Sequence, residues 1–355
     1  MDYCQIGFKT IPRRRAARLA PPLAELNPSA GEMRRILLST AKILVSAALL
    51  YLALRKVDLV DLFLRINNLA SVGWIGVAIA VTFFQIFVGV LRWREISVEC
   101  DAPLTTAQAM RFNVIGTFFN QTLPSAIGGD AVRLWLVARA GAGWRAATYS
   151  IFVDRAIGLI ALAIIIVASL PWSYHLISDP HGRSALLLVD FAALAGGAGF
   201  LVLGALPWPW LKRWWATHHI HACAVIANRV IFSRTRGPKV AVLSILIHVL
   251  AVVIAWCVVK AIAAPVSFGQ VFQLIPPIML ITMLPVSIAG WGVREATMGL
   301  AFGYAGLMAS EGVNVSLLYG AVSFIVGAVG GLVWILSAEK AAQGSAPIEV
   351  PEGVA

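Results

Sequence analysis

Residues 123–133 read LPSAIGGDAVR, and residues 284–294 read LPVSIAGWGVR. Laid over one another without a gap, they share Leu, Pro, Ile, Gly, Val and Arg. Proline removes a backbone donor and disrupts a helix interior. Glycine permits positive φ and close backbone approach. The apolar stretch 114–127 is too short to span a bilayer. It is interrupted by Asn120, Gln121 and Pro124 and ended by Gly128, Gly129 and Asp130. The second copy is broken by Pro276, Pro277, Pro285, Gly290 and Gly292. Such backbone survives at membrane depth only where protein buries it or water reaches it. The pair therefore predicts two re-entrant helical hairpins, one from each face, meeting near the midplane. Each carries an arginine, Arg133 or Arg294, on the first turns of the helix leading out.

The rest of the chain supplies the membrane. Of 355 residues, 59% are hydrophobic and 13% charged, whereas a soluble domain carries about 25% charged residues. Long apolar runs predict six full spans, near 36–54, 74–90, 147–170, 185–206, 240–262 and 315–336. Residues 57–68 alternate apolar and charged at helical spacing, as an interfacial helix does. The fold class is an all-α polytopic membrane protein. Three spans lie between the two motif copies, and an odd number of crossings inverts the second copy. That is the pattern of an inverted-topology repeat. The expected organisation is a basic cytoplasmic tail at 1–34, a membrane domain at 35–340 and a disordered tail at 341–355. The repeat cores lie near 104–140 and 268–308, and a basic loop occupies 207–239.

The net charge of +11 does not point to nucleic acid, because the basic residues sit between apolar runs rather than in one stripe. Basic connections mark the cytoplasmic side, which places both termini inside the cytoplasmic membrane. Cys4, Cys100, Cys223 and Cys257 form no CxxC pair, so neither a disulfide framework nor a zinc site is indicated. His218, His219 and His221 stand beside tryptophans without an acidic or Cys partner and read as an interfacial face. No metal, no cofactor and no nucleophile–base pair is expected. The Gly196–Gly199 and Gly327, Gly330 and Gly331 clusters read as close helix packing.

The candidate site collects the intramembrane charges. Helix N-termini and arginines favour anions, phosphate especially. Arg133, Arg155 and Arg294, with Asn120 and Ser125, are candidates to hold a headgroup. Asp130, Asp154 and Glu295 are candidates for coupling or ion pairing. Pro124, Gly128, Gly129, Pro285, Gly290 and Gly292 break the backbone. Asp154 and Arg155 are adjacent, so they point about 100° apart on a helix. Arg155 is then expected to meet Asp130 or Glu295, and Asp154 to meet Arg133 or Arg294. Two readings stay open: a polar cavity that holds a headgroup, or an ion-pair network that locks the helices. Asn120, Gln121 and Ser125 equally suit the satisfaction of broken backbone, and Trp291 suits packing or a cavity wall.

Phe119-Asn120, Leu123-Pro124-Ser125, Gly128-Gly129-Asp130 with Arg133, and Asp154-Arg155 with Gly158-Leu159 form one set. With Pro285, Gly290-Trp291-Gly292 and Arg294-Glu295, they resemble the lysylphosphatidylglycerol synthase transmembrane-region family, the flippase-like membrane domain. The resemblance covers about residues 35–340, and the family commonly has Glu where Asp154 stands. It implies the lipid-translocating half without the soluble synthase, since the chain ends at Ala355 soon after the last span. The implied function is a flippase moving a phospholipid, glycolipid or polyprenyl-type headgroup by alternating access. The alternative is a membrane-embedded lipid-modifying enzyme or its non-transporting partner. The implied partners are membrane lipids with anionic or phosphate headgroups, and enzymes of lipid biosynthesis.

Overall fold

The computed structural model describes Leu44, Tyr51 and residues 59–123, 128–206, 214–283 and 290–337. The N-terminal tail, most of the first expected span, Pro124, Ser125, Pro285 and the tail at 341–355 lie outside the described residues. Among the described residues every regular element is helical.

The first short helix, α1 (Leu59–Ile66), is amphipathic and ties itself by Asp61–Arg65, at 2.8 Å. The long helix α2 (Leu69–Glu99) starts where Asn68 accepts from the Ser71 N–H. It continues nine residues past the expected end at 90 and so carries Arg92 and Trp93 into the interior. Next come α3 (Thr106–Thr122), α4 (Gly128–Val137) and α5 (Gly143–Leu176). A π-helical turn over Ala138–Ala142, kinked at Gly141 with φ 105°, joins α4 to α5. Then follow α6 (Pro180–Ala205), α7 (Trp215–Ile231), α8 (Gly237–Ala261), α9 (Phe268–Thr282), α10 (Val293–Tyr304) and α11 (Ala309–Leu336). The basic stretch 207–239 is therefore not all loop, since α7 lies within it. His219 is drawn inward there, its Nδ1 2.6 Å from the Tyr149 hydroxyl of α5.

Among the described residues, five helical stretches are long and apolar enough to cross a membrane: Leu69–Glu99, Gly128–Leu176, Pro180–Ala205, Gly237–Ala261 and Ala309–Leu336. They cover the second to sixth expected spans, except that Leu206 and Ile262 fall one residue past their helix ends.

One order of elements occurs twice: long helix, capped short helix, short helix with the motif arginine, long helix. It runs α2-α3-α4-α5 and again α8-α9-α10-α11. Both short helices open with a reciprocal capping box, Thr105 with Gln108 and Ser267 with Gln270. Each box satisfies amides that the helix start leaves unpaired. Contacts between the series are matched as well. The two leading helices pack on each other, α3 packs on α11, and α9 packs on α5.

The α2–α8 pair is antiparallel. Glu99 meets Arg236, Ile96 clusters with Val240, and the Gln85 amide donates to the Ile247 carbonyl at 2.8 Å. Ala78 closes the pair among 252–262. Helices α3 and α4 form an antiparallel hairpin, with Leu123 beside Gly128, Asn120 beside Gly129 and Gly116 beside Arg133. Small residues allow such approaches, as membrane helix pairs require. A Cβ on Gly129 would fall on the Gly116 carbonyl oxygen, and one on Gly330 of α11 on the Val114 carbonyl oxygen of α3.

Candidate functional site

The first hairpin gathers a chain of ion pairs. The Arg155 guanidinium of α5 forks onto Asp130 of α4, with Nε and Nη2 each 2.8 Å from a carboxylate oxygen. Asp130 also accepts from Arg133 Nη1 at 3.1 Å. Arg133 Nη2 lies 3.8 Å from Asp154, whose other oxygen accepts from Arg92 Nε at 3.0 Å. The series Arg92–Asp154–Arg133–Asp130–Arg155 thus joins α2, α4 and α5. It holds three cations and two anions, an excess of one positive charge. All members but Arg155 are buried.

Local sequence makes room for this chain. Gly116 lets the Arg133 stem lie against α3, and Gly158 lets the Arg92 guanidinium lie against α5. The buried Gly158 carbonyl is met by His248 Nε2 of α8 at 2.9 Å. Asn120 accepts from the Gly129 N–H at 2.9 Å, so here it satisfies the start of α4. Arg133 sits over the Trp93 ring, 4.1 Å from its centroid. Cation–π attraction of this kind favours a desolvated guanidinium. Three buried donors nevertheless have no hydrogen-bond partner among the described residues: Arg133 Nε, Arg133 Nη2 and Trp93 Nε1.

The second hairpin is built differently. Glu295, 0% exposed, accepts from the Gly292 N–H at 2.5 Å, from Arg294 Nη2 at 3.0 Å and from the Ser316 hydroxyl at 2.8 Å. Arg294 Nε donates to the same hydroxyl at 2.9 Å. Gly292 has φ 83° and Gly290 φ 80°. This left-handed backbone suits glycine and turns the Gly292 amide toward the carboxylate. Arg294 and Glu295 balance, so no net charge remains. Nearby, Glu311 of α11 is held by Arg65 of α1 at 2.8 Å.

The structure brings Arg133, Arg155, Asp130, Asp154 and Asn120 together, and Arg294 with Glu295 in a separate group. Arg155 takes Asp130 rather than Glu295, and Asp154 takes Arg133 rather than Arg294. Sequence reasoning missed Arg92, which lies two residues past the expected end of the second span at 90, and Ser316. The Arg92-Trp93-Arg94 triplet gives no sign that only its first arginine turns inward. Arg94 instead donates to the Thr106 hydroxyl at 2.7 Å.

A cavity of about 460 Å³ opens between α5, α6 and the end of α9. Its lining includes Phe152, Leu159, Ile160, Phe200 and Leu280. Arg155 is the one charged residue among the described residues that line it, and its side chain is 47% exposed. Gly196 and Gly197 widen this cavity, whereas the Gly327, Gly330 and Gly331 cluster packs tightly on α3.

The family described as lysylphosphatidylglycerol synthase TM region matches residues 39–331. No curated protein and no solved structure matches the chain. The family match runs through both hairpins and every ion-paired residue of the two groups, and the chain belongs to the lysylphosphatidylglycerol synthase TM region family.

Proposed function

We propose that the protein is a lipid transporter of the cytoplasmic membrane that admits a phosphate-bearing headgroup beside α4 and α5. The observation that carries this reading is the uncompensated cation of the first hairpin, presented by Arg155 to an otherwise apolar cavity. A charged side chain at membrane depth costs about 2.5–3.5 kcal/mol on insertion scales. Evolution of a purely structural lock has no need of the third arginine. Arg155 spends Nε and Nη2 on Asp130, and its Nη1 is left for an anion. A phosphate diester at that nitrogen would neutralise the group, with its acyl or isoprenoid tail along the apolar cavity wall.

The doubled element order supplies the means of movement. Antiparallel packing of α2 on α8 supports an inverted-topology repeat. At 1.5 Å per residue, the arms α3 and α4 measure about 26 and 15 Å. A hydrocarbon core of about 30 Å exceeds both, so each hairpin enters and leaves by one face. Rocking of one series against the other about the α2–α8 pair would expose the Arg155 cavity to each leaflet in turn. The basic residues Arg234 and Arg236 of the α7–α8 connection and Lys239 in the first turn of α8 mark the cytoplasmic side, with both termini inside.

Leaflet exchange of a fluorescent anionic phospholipid in proteoliposomes tests the proposal. Wild type should exchange the lipid, and Arg155→Ala should slow exchange about tenfold, the value of a lost hydrogen bond to a charged group. Wild-type vesicles no faster than protein-free vesicles would overturn it. Turnover of a labelled lipid precursor without exchange would instead favour a lipid-modifying enzyme.

A further inference from the structure

Within the membrane helices, Asp130, Asp154 and Glu295 each face a guanidinium, and Glu311 is held by Arg65. Asp190 differs. It lies in the middle of α6, 4% exposed, and neither carboxylate oxygen has a hydrogen-bond partner among the described residues. It belongs to the stripe Leu186, Asp190 and Ala193 that α6 buries. Its neighbours Val189, Ala192 and Ala193 line the Arg155 cavity.

Helix α6 packs against α5, α7 and α9 along its length, and against Tyr304 of α10 at Gly182, two turns before Asp190. Helices α5 and α6 are joined by residues 177–179 and run antiparallel, with Gly197 facing Ala163 and Ile160. Asp190 is two turns nearer the link, so it stands opposite the stretch around 166–173. That stretch contains no titratable residue. Its Ser169 and Ser173 hydroxyls already donate to the Ile166 and Ser169 carbonyls. Pro171, inside α5, has no N–H to offer the Val167 carbonyl. The surroundings on α5 are thus rich in acceptors and lack donors, which suits a protonated acid and not a carboxylate. The charged and titratable groups of α5 lie toward its ends: Arg145, Tyr149, Asp154 and Arg155 on one side, Tyr174 and His175 on the other. Those of α7 are His218, His219, His221, Cys223 and Arg229. That helix meets the far end of α6, where Asn228 donates to the Leu201 carbonyl. Helix α9 has none, and α6 itself adds His181 and Arg183 in its first turn. A sodium ion would want six or so oxygen ligands, as hard cations do, and one carboxylate supplies two.

We propose that Asp190 is a proton-binding site, loaded while buried between α5 and α6 and discharged when the adjoining cavity opens, so that lipid movement is coupled to a proton. The inference rests on the transport reading, and its tests separate the two. In proteoliposomes with no gradient, exchange of the fluorescent anionic phospholipid reports transport alone. With a gradient of about one pH unit and one proton per lipid, the leaflet ratio should shift about tenfold. A sodium gradient at equal pH should leave it at one. Asp190→Asn, nearly isosteric, should hold the ratio at one under the pH gradient. Infrared difference spectra of wild type against Asp190→Asn at pH 7 should show a protonated carboxyl band that the variant lacks. A pH-driven shift retained by Asp190→Asn, or a difference spectrum without that band, would overturn the inference. If wild type exchanges no lipid in any arm, the transport reading fails and the infrared result still decides the proton site.

Discussion

The two hairpins share a sequence motif and a helix order, yet they handle charge in opposite ways. In the first, Arg133 reaches back to Asp130 and across to Asp154, and Arg92 and Arg155 extend the chain to α2 and the cavity. In the second, Arg294 is closed on the neighbouring Glu295 and on Ser316. Position for position, Ser316 stands where Arg155 stands in the first copy, and Trp291 where Asp130 stands. A hydroxyl therefore replaces the guanidinium, and the acid has moved from three residues before the motif arginine to one after it. The first copy is left with a surplus cation facing a cavity, and the second is balanced and shut. The two copies thus share a helix order while their charged side chains differ, the first keeping a surplus cation and the second a closed ion pair.

Substitutions can break this contrast, and the largest effect belongs to Asp154. Asp154→Ala strands the buried Arg92 and leaves Arg133 with Asp130 alone, and breaking a buried pair costs about 3–5 kcal/mol. Thermal unfolding in detergent should register that loss, and a variant as stable as wild type would refute the ion-pair chain. Next comes Glu295→Gln, which weakens the charge-assisted bonds from Gly292, Arg294 and Ser316. It should cost about 1.5–3 kcal/mol of stability. Gly330→Val overpacks the α3–α11 seam, where a Cβ meets the Val114 carbonyl oxygen. The expected destabilisation is about 1–3 kcal/mol, with the first hairpin loosened, which hydrogen exchange at α3 would report. Smallest in stability is Arg155→Ala, because the side chain is half exposed and its partner Asp130 keeps Arg133. A stability change below about 1 kcal/mol with a clear loss of exchange would set Arg155 apart from Arg294.

Much of the fold is legible in the sequence because apolar length is a one-dimensional signal. The spans near 74–90, 147–170, 185–206, 240–262 and 315–336 each fall within a long helix or overrun its end by one residue. The motif copies at 123 and 284 fall between α3 and α4 and between α9 and α10, and Arg155 takes Asp130, one of the two acids, Asp130 or Glu295, that the sequence leaves open to it. Arg92 escapes because its partner Asp154 is 62 residues away and the Arg-Trp-Arg triplet looks interfacial. The tail of α2 shows why: hydropathy falls after Val90 while the helix continues to Glu99. The wider meaning of Asp190 escapes for a different reason. A lone acid in an apolar run is visible, but whether it has a partner is a tertiary fact.

The most direct measurement is the lipid that stays with the purified protein, quantified by native mass spectrometry for wild type, Arg155→Lys and Arg155→Ala. A phosphate-bearing lipid should be retained by wild type, reduced in Arg155→Lys, which loses the planar fork but keeps the charge, and absent from Arg155→Ala. Equal retention of that lipid by all three proteins would contradict a headgroup site at the first hairpin.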